Sequence, residues 1–171
     1  MNKKISVILF LLLIPIVILT HVSWSQKDNG LMFNVDGRDV DFVGIIKDKW
    51  RMTTNSCNTV KMLQSDDPKL MTVKTAIQSY SPPDSMHIKD IYVWTYGTWA
   101  IAEVEFEKLL PAVVPVKNID TTATVVGDAI WSGQTVPWKS GPFIRAYLGE
   151  KSSDTPEDLL NCFELQTDSF K

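Results

Sequence analysis

The clearest pattern of apolar and polar positions lies in Ile91–Phe106, which turns at Tyr96-Gly97-Thr98. In its second half every other residue is apolar: Ala100, Ala102, Val104 and Phe106. The positions between them hold Trp99, Ile101, Glu103 and Glu105. A period of two is typical of a β-strand, because successive side chains point to opposite faces of the sheet. The stretch therefore predicts a hairpin with one apolar face and one aromatic and acidic face.

Helical spacing is found on both sides of this hairpin. Asp67-Pro68 predicts a helix start, since Asp caps the first amides and Pro has no amide hydrogen to lose there. Apolar residues then recur at Leu70, Val73, Ile77 and Tyr80, and Ser81-Pro82-Pro83 ends the helix. Two short helices are predicted near the C-terminus, one from Gly141-Pro142 to Gly149 and one from Thr155-Pro156.

The remaining segments give weaker patterns. Leu31–Ile46 predicts a short hairpin at Asp36-Gly37, although Asp39 or Asp41 could equally start a helix. Trp50–Leu63 has no clean period and is interpreted as an irregular connection. Ala112–Lys117 predicts an edge strand or a bulge, because it contains Pro115. Ala123–Trp131 predicts its return strand, in which Gly127 indicates a bulge or a close backbone approach.

Together these elements predict an α+β fold: a helix and an antiparallel sheet of about four to six strands, closed by two short C-terminal helices. The turn Gly97-Thr98-Trp99-Ala100 resembles a hairpin of the nuclear-transport-factor-2-like (NTF2-like) superfamily, and a helix leading into a meander is also a cystatin-like layout. The run from Trp99 through Ile130–Gly133 to Gly141–Leu148 also resembles uncharacterised bacterial exported proteins. These resemblances imply a fold but transfer no site residue, since such folds host enzymes and non-enzymes alike.

The N-terminus has the pattern of an export signal. Lys3 and Lys4 precede the uncharged apolar run Ile5–Thr20, and Ser23-Trp24-Ser25 offers small residues before a cut. We expect residues 1–25 to be a signal peptide and residues 26–171 to be a single domain, periplasmic or extracellular. An uncleaved N-terminal anchor is the alternative, and it would be the chain's contact with a membrane.

Charge and cysteine content narrow the class further. Without the leader lysines the chain has 15 basic and 20 acidic residues, a net charge of −5, which argues against nucleic acid as a partner. Cys57 and Cys162 are its two cysteines, and an even number in an exported chain predicts one disulfide. This bond would join the segment before the first helix to the last helix.

Residues for catalysis are sparse. His87 is the single histidine after the leader, and it lies in a polar connector rather than in a triad motif. No zinc spacing, phosphate loop or dinucleotide motif occurs, so we expect no metal and no cofactor. Glu103 and Glu105 share a strand face and could serve a small envelope hydrolase. A solvated outer face of the sheet is the interpretation that we favour for them.

Aromatic residues are the more informative candidates. Tyr92, Trp94, Tyr96 and Trp99 crowd one hairpin, and Trp131 and Trp138 follow later. Core packing explains most of them, whereas turn and loop positions suit recognition best at Tyr96, Trp99 and Trp138. We therefore expect an exported, non-enzymatic binding or interaction protein for a peptide, a saccharide or another protein. An inhibitor, an immunity protein and a structural envelope component are further alternatives.

Overall fold

The computed structural model describes residues 20–170, which form two antiparallel sheets and four α-helices. This arrangement confirms the predicted α+β class. Residues 1–19, which hold most of the predicted signal peptide, lie outside the described residues. Within the described range, no helix combines the length and the apolar character needed to cross a membrane.

A three-stranded sheet begins the described chain. Its strands are β1 (Val22–Lys27), β2 (Gly30–Val35) and β3 (Arg38–Val40), paired in that order. Asp36 and Gly37 turn between β2 and β3 with φ values of 49° and 82°. Such left-handed angles suit an Asp-Gly hairpin turn, so the predicted hairpin is confirmed.

Helix α1 (Phe42–Thr54) follows at once, and the side chain of Asp41 caps it by accepting from the amide of Gly44 at 2.7 Å. Hairpin and helix therefore both form, one after the other. The expectation of an irregular segment from Trp50 is wrong, because α1 continues to Thr54. Its apolar residues face outward and do not mark a core-facing stripe.

The main sheet has the strand order β4-β5-β6-β7-β8, and β9 also pairs with β7. Its strands are β4 (Lys61–Met62), β5 (Ile88–Tyr96), β6 (Trp99–Phe106), β7 (Ala112–Lys117), β8 (Thr124–Val125) and β9 (Trp131–Ser132). Tyr96 lies opposite Trp99, which confirms the central hairpin. The predicted return strand is shorter than expected, because a 3₁₀ turn at Gly127–Ala129 interrupts it.

Helix α2 (Pro68–Tyr80) covers the first face of this sheet. Asp67 caps it by accepting from the amide of Lys69 at 2.9 Å. Val73 and Ile77 pack in one core cluster with the alternating residues of β6 (Ala100, Ala102 and Val104). Both the helix and the apolar strand face agree with the sequence pattern.

Helices α3 (Ser140–Lys151) and α4 (Glu157–Cys162) cover the second face. Ile144, Leu148 and Leu159 pack there against Trp94, Ile101 and Val113 of the sheet. The expected solvated outer face is therefore wrong. Alternation along a strand distinguishes two faces, but it does not show whether the second face is covered.

One disulfide joins Cys57 to Cys162, with a Cα–Cα distance of 5.4 Å and a sequence separation of 105 residues. The predicted pairing is confirmed. Its position differs from the expectation in one respect, because Cys57 follows helix α1 instead of preceding the first helix. The bond joins the connection after α1 to the end of α4.

Candidate ligand-binding site

An apolar cavity of about 320 Å³ lies between α2 and the main sheet. It is formed by the C-terminal half of α2, the connection from β6 to β7, and strands β7 to β9. The residues that line it are Ile77, Tyr80, Ser81, Ser85, Phe106, Leu109, Leu110, Ala112, Val114, Val125, Ile130 and Ser132. None of these described residues carries a charge.

The strand period explains the walls of the cavity. Ala112 and Val114 are two positions apart on β7, so both side chains point toward α2 and are buried. Ile77 belongs to the same core cluster and faces them from α2. Leu109 and Leu110 sit in the connection before β7 and are 39% and 59% exposed. These two leucines form an apolar rim that opens to solvent.

Polar groups contribute little to this cavity. Ser85 is buried, and its hydroxyl donates to the carbonyl of Gln78 at 2.8 Å and accepts from the amide of Ser81 at 3.2 Å. Because its hydroxyl already has two partners, it offers little hydrogen bonding to a ligand. The chemistry of the cavity is therefore burial of apolar surface.

Tyr80 lies at the edge of the cavity against Gly127. A Cβ on Gly127 would lie 2.1 Å from the phenol oxygen of Tyr80 and 2.9 Å from its ring carbon Cζ. The tyrosine can occupy this position because residue 127 has no side chain. The close backbone approach predicted for Gly127 is thus confirmed, and it places an aromatic ring at the cavity wall.

A second cavity, of about 370 Å³, lies between α3, the start of α1 and the turn between β1 and β2. Trp138, Phe143 and Tyr147 supply its aromatic lining, and the rings of Trp138 and Phe143 are stacked at 6.4 Å. Charged residues also line it: Asp28, Asp41, Lys47 and Glu150. We refer to it as the aromatic cleft.

The aromatic residues singled out from the sequence do not meet at one site. Tyr96 and Trp99 are cross-strand neighbours, and both are half-buried against the core under α3 and α4. A hydrogen bond to Asp158 raises the pKa of Tyr96. Trp138 lies apart from them in the aromatic cleft. Trp138 therefore lines one of the two cavities described above, whereas Tyr96 and Trp99 line neither.

Glu103 and Glu105 hold the C-terminal tail. Glu103 is fully buried, and its carboxylate accepts from the amides of Gln166 and Thr167 at 2.7 and 2.9 Å and from the Thr167 hydroxyl at 2.6 Å. Glu105 accepts from the Ser169 hydroxyl at 2.6 Å and from Lys89 at 3.2 Å. Those two contacts lower the pKa of Glu105. Both carboxylates therefore have a structural task.

The structure adds no support for catalysis by His87 or by a bound metal ion. His87 is exposed in the short connection between the 3₁₀ turn at Asp84–Met86 and β5. Within residues 20–170 no group of three or more His, Cys, Asp or Glu side chains could hold a metal ion.

Leu109 and Leu110 are site residues that the sequence analysis did not single out. Their signal was present, since two consecutive leucines stand before Pro111 and outside the strand pattern. The sequence alone does not show that α2 lies across the cavity from these two leucines.

Comparison with protein families, with curated proteins and with solved structures finds no match. The NTF2-like and cystatin-like resemblance therefore stays a prediction about the fold.

Proposed function

We propose that the chain is an exported binding protein for a small, uncharged, largely apolar molecule, which occupies the cavity between α2 and the main sheet. The observation that carries this proposal is the cavity itself, with its uncharged lining and its exposed leucine rim. An apolar cavity is the ordinary form of a small-molecule site. The disulfide is compatible with export, because such bonds persist in oxidising compartments.

The volume limits the ligand. At about 320 Å³ the cavity is near the lower end of the range for small-molecule sites, roughly 300–1,000 Å³. A small aromatic molecule of one or two ring systems, or a short acyl chain, suits it better than a large molecule. Any polar group of the ligand would remain at the mouth, near the exposed leucines, because an uncompensated polar group is costly to bury.

A substitution that fills the cavity tests the proposal. Ala112→Leu places a larger side chain on the cavity floor, so we expect affinity for the uncharged probe 1-N-phenylnaphthylamine to fall at least about tenfold. Fluorescence titration of the purified protein measures it. Ala76→Leu is the matched control, because Ala76 lies elsewhere on α2 and lines a different surface. Equal probe binding by the two variants would contradict the proposal.

A variant at the exposed rim of the cavity separates loss of ligand binding from loss of folding. Leu110→Asp changes a residue that is 59% exposed, so its effect on folding should be small, whereas a charge at the mouth should disfavour an apolar ligand. Val136→Asp, at a position that is 83% exposed, is its control. Reduced probe binding in the first variant and normal binding in the second is the expected result.

The aromatic cleft is a second candidate site, favoured by the stacked ring of Trp138 and by the charged residues around it. Its chemistry suits a saccharide or a peptide, which combine apolar faces with hydrogen-bonding groups. Trp138→Ala should leave binding of the apolar probe unchanged. If it abolishes that binding instead, the cleft and not the apolar cavity is the site.

The remaining alternatives are supported less well. A hydrolase built on Glu103 and Glu105 would need carboxylates that a substrate can reach, yet Glu103 is fully buried under the C-terminal tail. An inhibitor, an immunity protein or a structural component would use a surface and not a cavity. These alternatives stay predictions from the sequence.

A further inference from the structure

Helix α1 is amphipathic, but its apolar side faces outward and its polar side faces the protein. Its exposed side carries large apolar residues: Phe42 (42% exposed), Ile45 (36%), Ile46 (66%) and Trp50 (69%). Its protein-facing side carries Gly44, Asp48 and Arg51. Surface helices of globular proteins normally turn their apolar side to the core. An apolar helix side that is directed outward marks a surface for contact with another body.

Ion pairs on the inner side fix this orientation. Asp48 pairs with Arg145 of α3 and with Arg51 of α1 itself, and Arg51 also donates to the carbonyl of Asn161 at 2.7 Å. Turning α1 to bury its apolar side would break these contacts and leave partly buried charges without partners. The outward direction of the apolar residues is therefore part of the fold.

The apolar surface continues onto the N-terminal sheet. Trp24 of β1 lies opposite Phe33 of β2, which lies opposite Val40 of β3, so the three side chains share one face. The ring of Phe33 meets that of Phe42 edge to face at 5.4 Å. Trp24 itself is 68% exposed. We define the outer apolar face as Trp24, Phe42, Ile45, Ile46 and Trp50.

The chain outside the described residues indicates what covers this face. The apolar run Ile5–Thr20 ends next to β1, which begins at Val22. If that run lies in a bilayer, the outer apolar face is held beside the same bilayer. Two of its members are tryptophans, which favour the membrane–water interface. Lys49 is exposed next to Trp50 on α1 and can extend its ammonium group toward the headgroups.

Local charge indicates the kind of lipid. Residues 20–54 hold five basic side chains (Lys27, Arg38, Lys47, Lys49 and Arg51) and five aspartates (Asp28, Asp36, Asp39, Asp41 and Asp48). With no net charge there, attraction to anionic lipid adds little. Affinity would come from burial of apolar area, so a zwitterionic membrane suffices.

We propose that the N-terminal leader is retained as an anchor and that the outer apolar face lies flat on the bilayer surface. Retention also agrees with the hairpin, since cleavage after Ser25 would remove Trp24 and four of the six residues of β1. The domain is thereby held in one orientation on the membrane, by its leader and by α1 together. This inference is independent of the apolar cavity.

Fluorescence quenching by brominated lipid tests the orientation. The full chain is reconstituted into phosphatidylcholine vesicles whose acyl chains carry bromine near the headgroups. The sequence before Thr20 contains no tryptophan, so the leader itself gives no signal. We expect quenching of the wild-type protein, and loss of most of it in the Trp24→Phe/Trp50→Phe double variant. Trp99→Phe/Trp138→Phe is the matched control and should retain the quenching.

Ile46→Glu extends the test, because Ile46 is 66% exposed and its replacement should not disturb folding. We expect this variant to remain attached through the leader while its tryptophan quenching falls. Quenching that is unaffected in the double variant and in Ile46→Glu would overturn the proposed orientation. So would cross-linking of two chains through residue 50, which would assign the face to a second copy. Recovery of the protein from cells with Gln26 as its first residue would overturn retention of the leader.

Discussion

Glu103 shows how much the meaning of a residue depends on what covers it. On the strand pattern it belongs to a polar face, yet it is fully buried and accepts three hydrogen bonds from the C-terminal tail. Hydrogen bonds to a carboxylate are stronger than neutral ones, at roughly 1.5–3 kcal/mol each. The residue thus anchors a segment more than sixty positions away in the sequence.

Glu103→Gln is expected to lower the free energy of unfolding by about 3 kcal/mol, because the amide nitrogen of glutamine would face backbone donors. Chemical denaturation measures the change. Glu107→Gln is the control, since Glu107 is exposed near the end of the same strand, and its effect should stay within about 0.5 kcal/mol. Equal stability of the two variants would show that the tail is not held by Glu103.

The pKa of Glu105 predicts a pH dependence. Because contacts with Ser169 and Lys89 lower this pKa in the folded state, the folded protein binds fewer protons there than the unfolded chain. The stabilisation is complete above the ordinary glutamate pKa of 4.5 and is lost as the pH falls through the lower folded value. Unfolding measured from pH 6 to pH 3 should therefore depend less on pH in Glu105→Gln. An unchanged slope would contradict this assignment.

The role of a single residue could be predicted where that role depends on composition or on neighbours in the sequence. The two cysteines pair as expected, and Asp67 caps its helix, because each outcome follows from composition or from immediate neighbours. The burial of Glu103 was not predictable, since its donors lie in the C-terminal tail. Trp138 was singled out for its loop position, but the cleft around it depends on α1 and α3.

Among the helices and strands, the period of apolar residues predicted an element correctly where one side of that element faces the core. Helix α2 and the hairpin of β5 and β6 follow the expected period of apolar residues. Helix α1 was missed as a full helix for the opposite reason. Its buried side is held by charges and its apolar side is exposed, so the apolar period does not mark the core.

Strand β7 shows how a proline can lie inside a sheet. Pro115 faces Ile101 of β6, while the short strands β8 and β9 pair with the two ends of β7 on its other side. The proline thus lies between these pairings, where its missing amide hydrogen breaks no ladder bond, and its carbonyl accepts from Val126 at 2.9 Å. The prediction of an edge strand is therefore wrong, because β7 pairs with β6 on one side and with β8 and β9 on the other.

Gly44→Ala tests the attachment of α1. Alanine favours a helix interior by about 1 kcal/mol over glycine. A Cβ here, however, would lie 2.2 Å from the carboxylate oxygen Oδ2 of Asp41, which also accepts from the amide of Lys139. We expect a net loss of about 1–2 kcal/mol in unfolding free energy, as for removal of a helix cap. A more stable variant in thermal or chemical denaturation would show that the Asp41 cap is dispensable.

For the whole molecule, the sheet is the central layer and helices cover both of its faces. The disulfide links the connection after α1 to the end of α4, so it closes most of the chain into a loop. A long loop restricts the unfolded chain strongly, by about 4–5 kcal/mol in the chain-entropy model. The stability of the fold is therefore linked to the oxidation state of these two cysteines.

Reduction of the Cys57–Cys162 bond is expected to lower the free energy of unfolding by about 3–4 kcal/mol, while the α+β fold is retained at moderate temperature. Denaturant unfolding with and without reductant measures this loss. The Cys57→Ser/Cys162→Ser variant is the control, because reductant should not change its midpoint. Identical midpoints of the oxidised and reduced wild-type protein would contradict the role assigned to the bond.

The binding site is the feature that sequence alone located least well. Its walls come from α2, the connection before β7, and three strands, and no local pattern shows that these segments enclose a space. The sequence predicted a recognition role for the aromatic hairpin residues Tyr96 and Trp99, but they pack against the core under α3 and α4. Segments that are distant along the chain form a cavity only through the fold, so sequence predicted the layers and not the space between them.

The most direct measurement is a titration of methyl-labelled protein with 1-N-phenylnaphthylamine, followed by nuclear magnetic resonance. Ligand in the apolar cavity should shift the methyl signals of Ile77, Leu110 and Val114, while those of Ile144 and Leu148 under α3 stay in place. Shifts confined to methyl groups at the aromatic cleft, such as those of Leu31 and Val43, would contradict the account. So would a saturating titration that moves no methyl signal at all.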